Sequence, residues 1–350
     1  MISRRSFLQT ASIAGISTLF LECSTAKETS TKYIQGSWIE FQHHNKKEGK
    51  YWNATCASFS AEQWEAKIKE MAEIGMEYLV LLCTALDFKS FYPTKIFPPW
   101  KIGCDDPVEV VLAAADKFGI KFFISGGFYG EWTDPKIFSD KEAKKKRLAA
   151  IEEIAGIYGH HKSFHGWYWP NEAAINPYFR DDFMKYTNEC SSLARSLTPD
   201  SKILIAPYGT RLVKPDDNYI KQLDTLDVDV IAYQDEVGVK KSIPEETPAF
   251  FEGLRKAHDR VGKIALWADV EIFDFEGEVY RSALIPAPFN RILKQIESIS
   301  SYVDTILVYQ YQGMMSKPGS IAYAGHPNAA KLYGDYRAWL ENAHSKVIRK

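Results

Sequence analysis

Eight short apolar runs alternate with eight amphipathic stretches over most of this chain. The runs are rich in Ile, Val, Phe and Tyr and apolar on both faces at their centres, which is typical of strands buried between a core and an outer helical layer. They are Tyr33–Phe41, Met76–Cys83, Ile120–Phe128, Phe164–Trp169, Lys202–Tyr208, Val228–Tyr233, Lys263–Val270 and Thr305–Tyr311. The stretches with helical spacing are Ala61–Ile74, Pro107–Phe118, Lys141–Tyr158, Tyr178–Leu197, Asp217–Leu226, Thr247–Val261, Phe289–Tyr302 and Ala329–Ala343.

No linker or low-complexity segment interrupts this alternation, so the sequence predicts an α/β fold consisting of a single (β/α)8 TIM barrel. A doubly wound open sheet is the alternative, but no Gly-x-Gly-x-x-Gly follows the first run. The 350 residues carry a net charge of −2. There is thus no basic excess to attract nucleic acid, and we expect no nucleic-acid partner. We also expect no cofactor.

The N-terminus is predicted to be an export signal rather than part of the barrel. Ser3-Arg4-Arg5-Ser6-Phe7-Leu8 resembles a twin-arginine signal, and the mildly apolar Ala11–Leu21 is too short to span a membrane as a stable helix. Ser24-Thr25-Ala26 offers a cleavage site. We therefore expect a signal peptide at 1–26, a catalytic barrel at 27–350 and a periplasmic or extracellular protein. A lipid anchor on Cys23 is the alternative, although Glu22 stands where a lipobox needs a small residue.

Cysteine and histidine spacing gives no metal motif. Cys56, Cys83, Cys104 and Cys190 form no C-x-x-C pair, Cys83 lies in an apolar run, and any disulfide pairing stays open. The pairs His43-His44 and His160-His161 are adjacent residues, which would point to opposite faces of a strand, so neither is expected to chelate. We interpret His160-His161 as a solvated loop and Lys141–Arg147 as the solvated face of a helix.

Polar and aromatic side chains gather where the strands should end, while the strand centres stay apolar. The C-terminal strand ends of such a barrel meet at one mouth, where the chemistry of this fold takes place. The aromatic loop Phe91–Trp100 also lies at this mouth, either as a sugar platform or packed on itself. The residues expected to bind substrate are Trp38, Glu40, Asn171, Tyr208, Tyr233, Gln234, Asp235, Trp267, Asp269, Tyr309 and Gln310.

Two acidic segments carry a family resemblance. Gly166-Trp167-Tyr168-Trp169-Pro170-Asn171-Glu172 ends the fourth run, and Trp267-Ala268-Asp269-Val270-Glu271 ends the seventh. Together they resemble clan A glycoside hydrolases, and more closely a bacterial family of exported, glycosidase-like barrels known as a domain of unknown function. The resemblance implies that Glu172 is the acid/base, that Asn171 contacts the sugar 2-hydroxyl and that Glu271 is the nucleophile.

The implied function is a retaining glycoside hydrolase acting on an oligosaccharide or glycan. It requires unlike acids: Glu172 protonated near neutral pH, through burial against Trp167 or Trp169, and Glu271 ionised, helped by a hydrogen bond from Tyr233 or Gln234. Asp269 and Asp235 are rivals for the nucleophile. Two other functions stay open: a metal-dependent sugar isomerase or epimerase, and a carbohydrate-binding barrel without catalysis.

Overall fold

Eight parallel strands close into a barrel in the computed structural model, which describes residues 31–134 and 136–347. Each strand pairs with its neighbours in sequence, and the first pairs with the last. The strands are β1 (Gly36–Ile39), β2 (Tyr78–Leu81), β3 (Lys121–Ser125), β4 (Phe164–Tyr168), β5 (Lys202–Ile205), β6 (Val230–Gln234), β7 (Ala265–Glu271) and β8 (Thr305–Tyr309). The predicted single (β/α)8 barrel is confirmed. The predicted signal peptide lies outside the described residues.

A helix follows every strand and packs on the outside of the barrel. These helices are α1 (Ala61–Glu73), α2 (Pro107–Phe118), α3 (Lys141–Tyr158), α4 (Asp181–Leu197), α5 (Asp217–Thr225), α6 (Thr247–Val261), α7 (Phe289–Ile299) and α8 (Ala329–Ala343). Local sequence sets several helix starts: Ser60 and Gln63 form a reciprocal capping box on α1, and the Asp106 and Asp140 side chains cap α2 and α3.

The strand pleat divides the barrel side chains into two clusters. Side chains that point inward fill the barrel with Trp38, Phe123, Tyr168, Trp267, Leu307 and their neighbours. Their sequence neighbours, such as Ile39, Trp167, Leu266 and Val308, point outward and pack under the helices. Because successive residues alternate between these environments, the pleat also decides which strand-end residues reach the mouth.

Long loops build the mouth. A 3₁₀ turn (Glu48–Tyr51) and a short helix (Asn53–Ala57) follow β1, and an antiparallel hairpin (Phe273–Phe275 with Leu284–Pro286) follows β7. A smaller hairpin (Ala85–Leu86 with Lys89–Ser90) follows β2. The aromatic loop after it packs on itself, since Phe91 stacks on Trp100 with ring centroids 5.5 Å apart.

Two expectations about polar segments hold only in part: Lys141, Lys145 and His160 are exposed as predicted, but Arg147 and His161 are not. Arg147 does not lie on a solvated face: it is buried, and its guanidinium stacks 4.4 Å from the Tyr186 ring centroid. His161 is also buried, held between Asp116 at 2.7 Å and Glu109 at 3.0 Å. In both cases a neighbouring element covers a residue that looks exposed when its own helix or loop is considered alone.

The cysteines Cys56, Cys83, Cys104 and Cys190 are all free, and Cys83 is a buried core residue as predicted. Within residues 31–134 and 136–347, no helix is both long and apolar enough to cross a membrane.

Candidate active site

Two adjoining cavities open at the C-terminal ends of the strands. The first, which we call the deep cavity, has a volume of about 150 Å³, and the second, the wide cavity, about 440 Å³. Both contain His44, Leu82 and Glu172, so Glu172 stands at their boundary. The deep cavity is also lined by His43, Glu48, Gln234, Val239, Asp269, Glu271, Phe273, Phe275, Tyr280, Leu284 and Tyr309. The wide cavity adds Phe128, Trp132, Thr133, Asp134, Ile137, Phe138, Pro170, Asn171, Ala173, Ala174, Arg180 and Tyr208.

Glu172 receives two hydrogen bonds from the barrel interior. The Tyr168 hydroxyl donates to Oε1 at 3.1 Å, and Gln234 Nε2 donates to Oε2 at 2.9 Å. Burial raises the pKa of Glu172 from 4.5 to about 7, while the two donors act in the opposite direction. The predicted cause of this rise is corrected here: Trp167 and Trp169 point away from the mouth and donate to Thr198 and Ser191 under the helices.

Asp269 and Glu271 share the inner face of β7, as their alternation predicts. Glu271 Oε2 accepts the Val239 backbone N–H at 2.8 Å. The Oδ1 of Asp269 is buried without a hydrogen-bond partner in the described part of the chain. Burial raises the pKa of both carboxyl groups well above their ordinary values, and the charge of Glu271 acts further on Asp269, as that of Asp235 does on Glu271.

Tyr233 and Asp235 lie on the opposite side of β6 from the cavities. Ala232 and Gln234 point inward, so their neighbours point outward. The Tyr233 hydroxyl contacts Tyr219 at 2.6 Å and His258 at 2.8 Å, and it donates nothing to Glu271. The predicted hydrogen bond from Tyr233 to Glu271 is therefore wrong, and Gln234 serves Glu172 instead.

Asp235 is buried behind the mouth as a support for β7. Its Oδ1 accepts the backbone N–H of Glu271 at 3.2 Å, and its Oδ2 accepts Gln295 Nε2 at 2.6 Å. Burial raises the pKa of Asp235 to about 6. The hydrogen bonds from Gln295 and from the Glu271 backbone act in the opposite direction and limit this rise. Since Asp235 lines neither cavity, it is placed to orient Glu271 rather than to touch a bound ligand.

Three other expected residues do reach the cavities. Asn171 is buried beside Glu172, where its Oδ1 accepts a hydrogen bond from Tyr186 and its Nδ2 has no partner among the described residues. Tyr208 lies on the exposed rim of the wide cavity. Tyr309 lines the deep cavity, and its hydroxyl donates to Glu40 at 3.3 Å.

The remaining expected residues lie below the mouth or behind it. Trp38 and Trp267 fill the barrel interior. Glu40 is fully buried and accepts Trp52 Nε1 at 2.8 Å and Gln310 Nε2 at 2.7 Å. Neither Glu40 nor Gln310 lines a cavity, and both are placed to fix β1 against β8. Position at a strand end predicts all four residues at the mouth, because it carries no information on how deep along the barrel axis a residue lies.

The expectation that His43 and His44 diverge is wrong, because β1 ends at Ile39 and the chain bends before them. Their ring centroids are 4.4 Å apart, and Glu40, His43 and His44 each offer a ligand atom within 4.8 Å of the others. The hydrogen bonds fit a metal poorly. His43 Nδ1 accepts the Asn45 N–H, which leaves the proton on Nε2, 3.5 Å from Glu48. The Glu40 oxygens already accept three side-chain donors.

Several cavity residues were not predicted as site residues. His44 is neutral, since burial lowers its pKa to about 3, and its ring contacts Trp132 edge-on at the boundary of the cavities. Burial has the opposite effect on the acid Glu48, whose pKa it raises to about 7. The pairing of His43 with His44 and the strand-end position of Trp132 were visible in the sequence. Val239 and the hairpin after β7 carried no such signal.

Solved structures with the same barrel include carbohydrate-active proteins. A candidate alpha-L-fucosidase from Bacteroides thetaiotaomicron is 19% identical with a TM-score of 0.69, and the match covers 89% of this chain and 96% of that one. An endo-beta-1,4-mannanase from Thermotoga petrophila is 12% identical with a TM-score of 0.58, covering 91% and 79%. A glycoside hydrolase family 5 mannosidase from Rhizomucor miehei is 12% identical with a TM-score of 0.55, covering 91% and 96%. At these identities the similarity shows a shared fold.

A search of curated proteins gave no significant match. One family profile, described as a domain of unknown function (DUF4434), matches residues 34–322, which include every strand of the barrel and all of the lining residues above. The chain therefore belongs to the DUF4434 family.

Proposed function

We propose that the protein is a retaining glycoside hydrolase in which Glu172 is the acid/base and Glu271 the nucleophile. The observation that carries this proposal is the position of the two carboxyl groups. Both line the deep cavity at the mouth of the barrel, and only Glu172 also faces the wide cavity. A sugar bound in the deep cavity would have one acid beside its ring and the other beside the bond to the leaving group, as the double-displacement mechanism requires.

The environment of Glu172 suits proton donation. With a pKa of about 7, it is protonated over the acidic and near-neutral range and can protonate the glycosidic oxygen. The same carboxylate, stabilised by Tyr168 and Gln234 once ionised, can then take a proton from the water that releases the sugar. One residue thus performs both proton transfers.

Glu271 is preferred over Asp269 as the nucleophile because of its hydrogen bond. Both groups are buried with raised pKa values, and they cannot both ionise cheaply side by side. The Val239 N–H stabilises an ionised Glu271, whereas Asp269 Oδ1 has no donor within the described chain. In the proposed mechanism Asp269 keeps its proton and donates a hydrogen bond to a sugar hydroxyl, and Asn171 Nδ2 binds a second hydroxyl.

Azide rescue tests the assignment on a panel of 4-nitrophenyl glycosides. We expect Glu271→Ala to lose hydrolysis and to regain turnover with azide, giving a glycosyl azide of inverted configuration. Glu172→Ala should give the retained azide, since its nucleophile is intact. The exposed Glu152 on α3 provides a matched control, Glu152→Ala, with unchanged activity. Rescue at Asp269→Ala but not at Glu271→Ala would reverse the nucleophile assignment.

The two other candidate functions make different predictions in the same assays. A carbohydrate-binding barrel would bind sugars without hydrolysing any member of the panel. A metal-dependent sugar isomerase could draw on Glu40, His43 and His44, whose ligand atoms lie within 4.8 Å of one another. It would retain a stoichiometric metal after purification and lose activity in chelator. The glycosidase is expected to be indifferent to chelator.

We also propose that the protein is exported through the twin-arginine route and acts on glycan fragments outside the cytoplasm. The support is the Arg4-Arg5 pair before Phe7-Leu8, followed by a small-residue cleavage site at Ser24–Ala26. A soluble mature protein starting near Lys27 is expected, and mass spectrometry finding a lipid on Cys23 would replace it with an anchored one.

A further inference from the structure

Loops that follow β1 and β7 form part of the lining of the deep cavity. The hairpin after β7 supplies Phe273, Phe275, Tyr280 and Leu284 to its lining. The tip of this hairpin is joined to the loop after β1, which lies across the mouth. Tyr51 donates to Glu276 Oε1 at 2.5 Å, Lys50 lies 3.0 Å from Glu276 Oε2, and Asn45 Nδ2 donates to the Tyr280 carbonyl at 3.3 Å. The two loops therefore form one continuous wall.

The size of the deep cavity limits what can lie against this wall. Cavities that enclose drug-sized ligands measure roughly 300–1,000 Å³, whereas the deep cavity measures about 150 Å³. A volume of this size favours one sugar ring beside Glu271 over two. Its lining in the described chain includes Glu48, Asp269 and Glu271 but no Lys or Arg. The rim cation Lys241, 5.6 Å from the Tyr280 ring, is already paired with Glu236 at 3.9 Å, so a carboxylate or sulfate on the sugar ring would mainly face carboxyl groups.

The wide cavity lies on the leaving-group side. Glu172 faces both cavities, so a glycosidic oxygen that it protonates is positioned at their boundary. The group that departs with this oxygen must then lie in the wide cavity. Part of that wall is apolar, formed by Ile137 and by the aromatic residues Phe128, Trp132 and Phe138. Flat aromatic rings pack against the apolar faces of sugars and against other aromatic groups.

We infer that the enzyme is exo-acting: it removes one uncharged sugar from the non-reducing end of its substrate and holds the leaving group on the apolar wall of the wide cavity. This inference rests on the proposed glycosidase function. It assigns the deep cavity to a single terminal residue and makes the wall between the β1 loop and the hairpin the feature that excludes internal cleavage.

Two rim tyrosines allow each cavity to be tested separately. Lys241 Nζ lies 5.4 Å from the Tyr208 ring and 5.6 Å from the Tyr280 ring, but Tyr208 lines the wide cavity and Tyr280 the deep one. Tyr280 also has a positive φ of 62°, so glycine adopts its backbone conformation readily and Tyr280→Gly should fold.

The experiment uses the full mature protein, the neutral sugar that the 4-nitrophenyl panel identifies, and a reducing-end-labelled tetrasaccharide of that sugar. We expect only monosaccharide and the labelled trisaccharide at early times. Tyr280→Gly should raise the rate on a 4-nitrophenyl disaccharide, relative to the 4-nitrophenyl monosaccharide, by roughly tenfold when the aryl group is the leaving group. Tyr208→Ala should raise KM for aryl glycosides by roughly fivefold while leaving this ratio as in the wild type.

The possible failures are distinct. Internal fragments at early times, or a preference for uronic acid glycosides, would overturn the inference and leave the glycosidase intact. Absence of cleavage of every glycoside would refute the proposed function and this inference with it.

Discussion

Gln234, the last residue of β6, donates a hydrogen bond from Nε2 to Oε2 of Glu172 at 2.9 Å. A donor of this kind favours the carboxylate over the carboxylic acid, and it therefore opposes the effect of burial on the pKa of Glu172. The hydrogen bond links the loop after the fourth strand to the end of the sixth strand, at the boundary of the two cavities. It makes Gln234 a means of adjusting the proton affinity of the proposed acid.

Removing this donor should shift the alkaline limit of activity. In the proposed mechanism Glu172 must be protonated, so kcat/KM should fall above a pH of about 7. Gln234→Leu removes a hydrogen bond that stabilises the ionised form of Glu172, so the pKa of Glu172 rises. The pH at which kcat/KM begins to fall should therefore move upward. The pH profile of kcat/KM measures this. Tyr168→Phe should act in the same direction, and a shift to lower pH in both variants would contradict the assignment.

Replacing either proposed catalytic carboxyl group should abolish most turnover without unfolding the protein. We expect Glu172→Gln and Glu271→Gln to lower kcat by roughly 10²–10⁴-fold on substrates with poor leaving groups, because each removes a group that acts in the transition state. With an activated aryl leaving group, Glu172→Gln should lose less, since little proton donation is needed. Circular dichroism and thermal melting check the fold, and equal losses on both substrate types would argue against Glu172 as the acid.

The stability of the protein should record the raised pKa of Glu172. A carboxyl group whose pKa rises on folding, here from 4.5 to about 7, contributes stability below the lower value that is lost as the pH rises to the upper one. Glu172→Gln has no proton to lose. The free energy of unfolding of this variant should therefore rise relative to that of the wild type between these pH values, by about 3 kcal/mol. Urea unfolding at pH 4.5 and pH 8 measures the difference, and Glu152→Gln should show no such pH dependence.

Gly238 should be required for the position of Glu271. A Cβ at Gly238 would lie 2.9 Å from the Glu271 Cβ and 2.9 Å from the carbonyl of Phe273. Gly238→Ala must push the loop away from β7, which lengthens the Val239 hydrogen bond to Glu271. We expect a loss of kcat of roughly tenfold or more. Gly156→Ala, on the open surface of α3 with nothing near its Cβ, is the matched control and should be neutral or slightly stabilising.

The export proposal predicts where the precursor accumulates. Replacing Arg4 and Arg5 by lysine should strand an uncleaved precursor in the cytoplasm, because twin-arginine export reads the arginine pair itself. Immunoblotting of cytoplasmic and periplasmic fractions measures this. Unchanged export of the double variant would indicate a general secretory signal instead.

The strand pattern predicted much of this architecture because buried strands and covering helices carry strong local signals. All eight strands were found within the predicted runs or one residue beyond them, and the alternation in β7 placed Asp269 and Glu271 on one face. The same alternation was available in β6. It places Tyr233 and Asp235 on the outer side, so the prediction that both bind substrate at the mouth fails: a polar or aromatic residue at a strand end faces the mouth only when the pleat points it inward.

The loops escaped prediction for a different reason. The bend that brings His43 beside His44 and the hairpin that holds Tyr280 depend on contacts between residues far apart in sequence, such as Asn45 with Tyr280. Depth along the barrel was also invisible, which is why Trp38 and Trp267 were expected at the mouth although they fill the interior. Local patterns state which face a residue occupies more readily than how far along the axis it lies.

The wall that joins Tyr51 and Lys50 to Glu276 is built entirely outside the barrel. The eight strands pair only with one another and with neither of the two loops that form this wall. In the proposed mechanism, substrate length is therefore set by these two loops, and bond breaking by residues at the ends of the strands. If the inference holds, a change from trimming chain ends to cutting within a polymer would need edits in these two surface segments only, with the barrel strands unchanged.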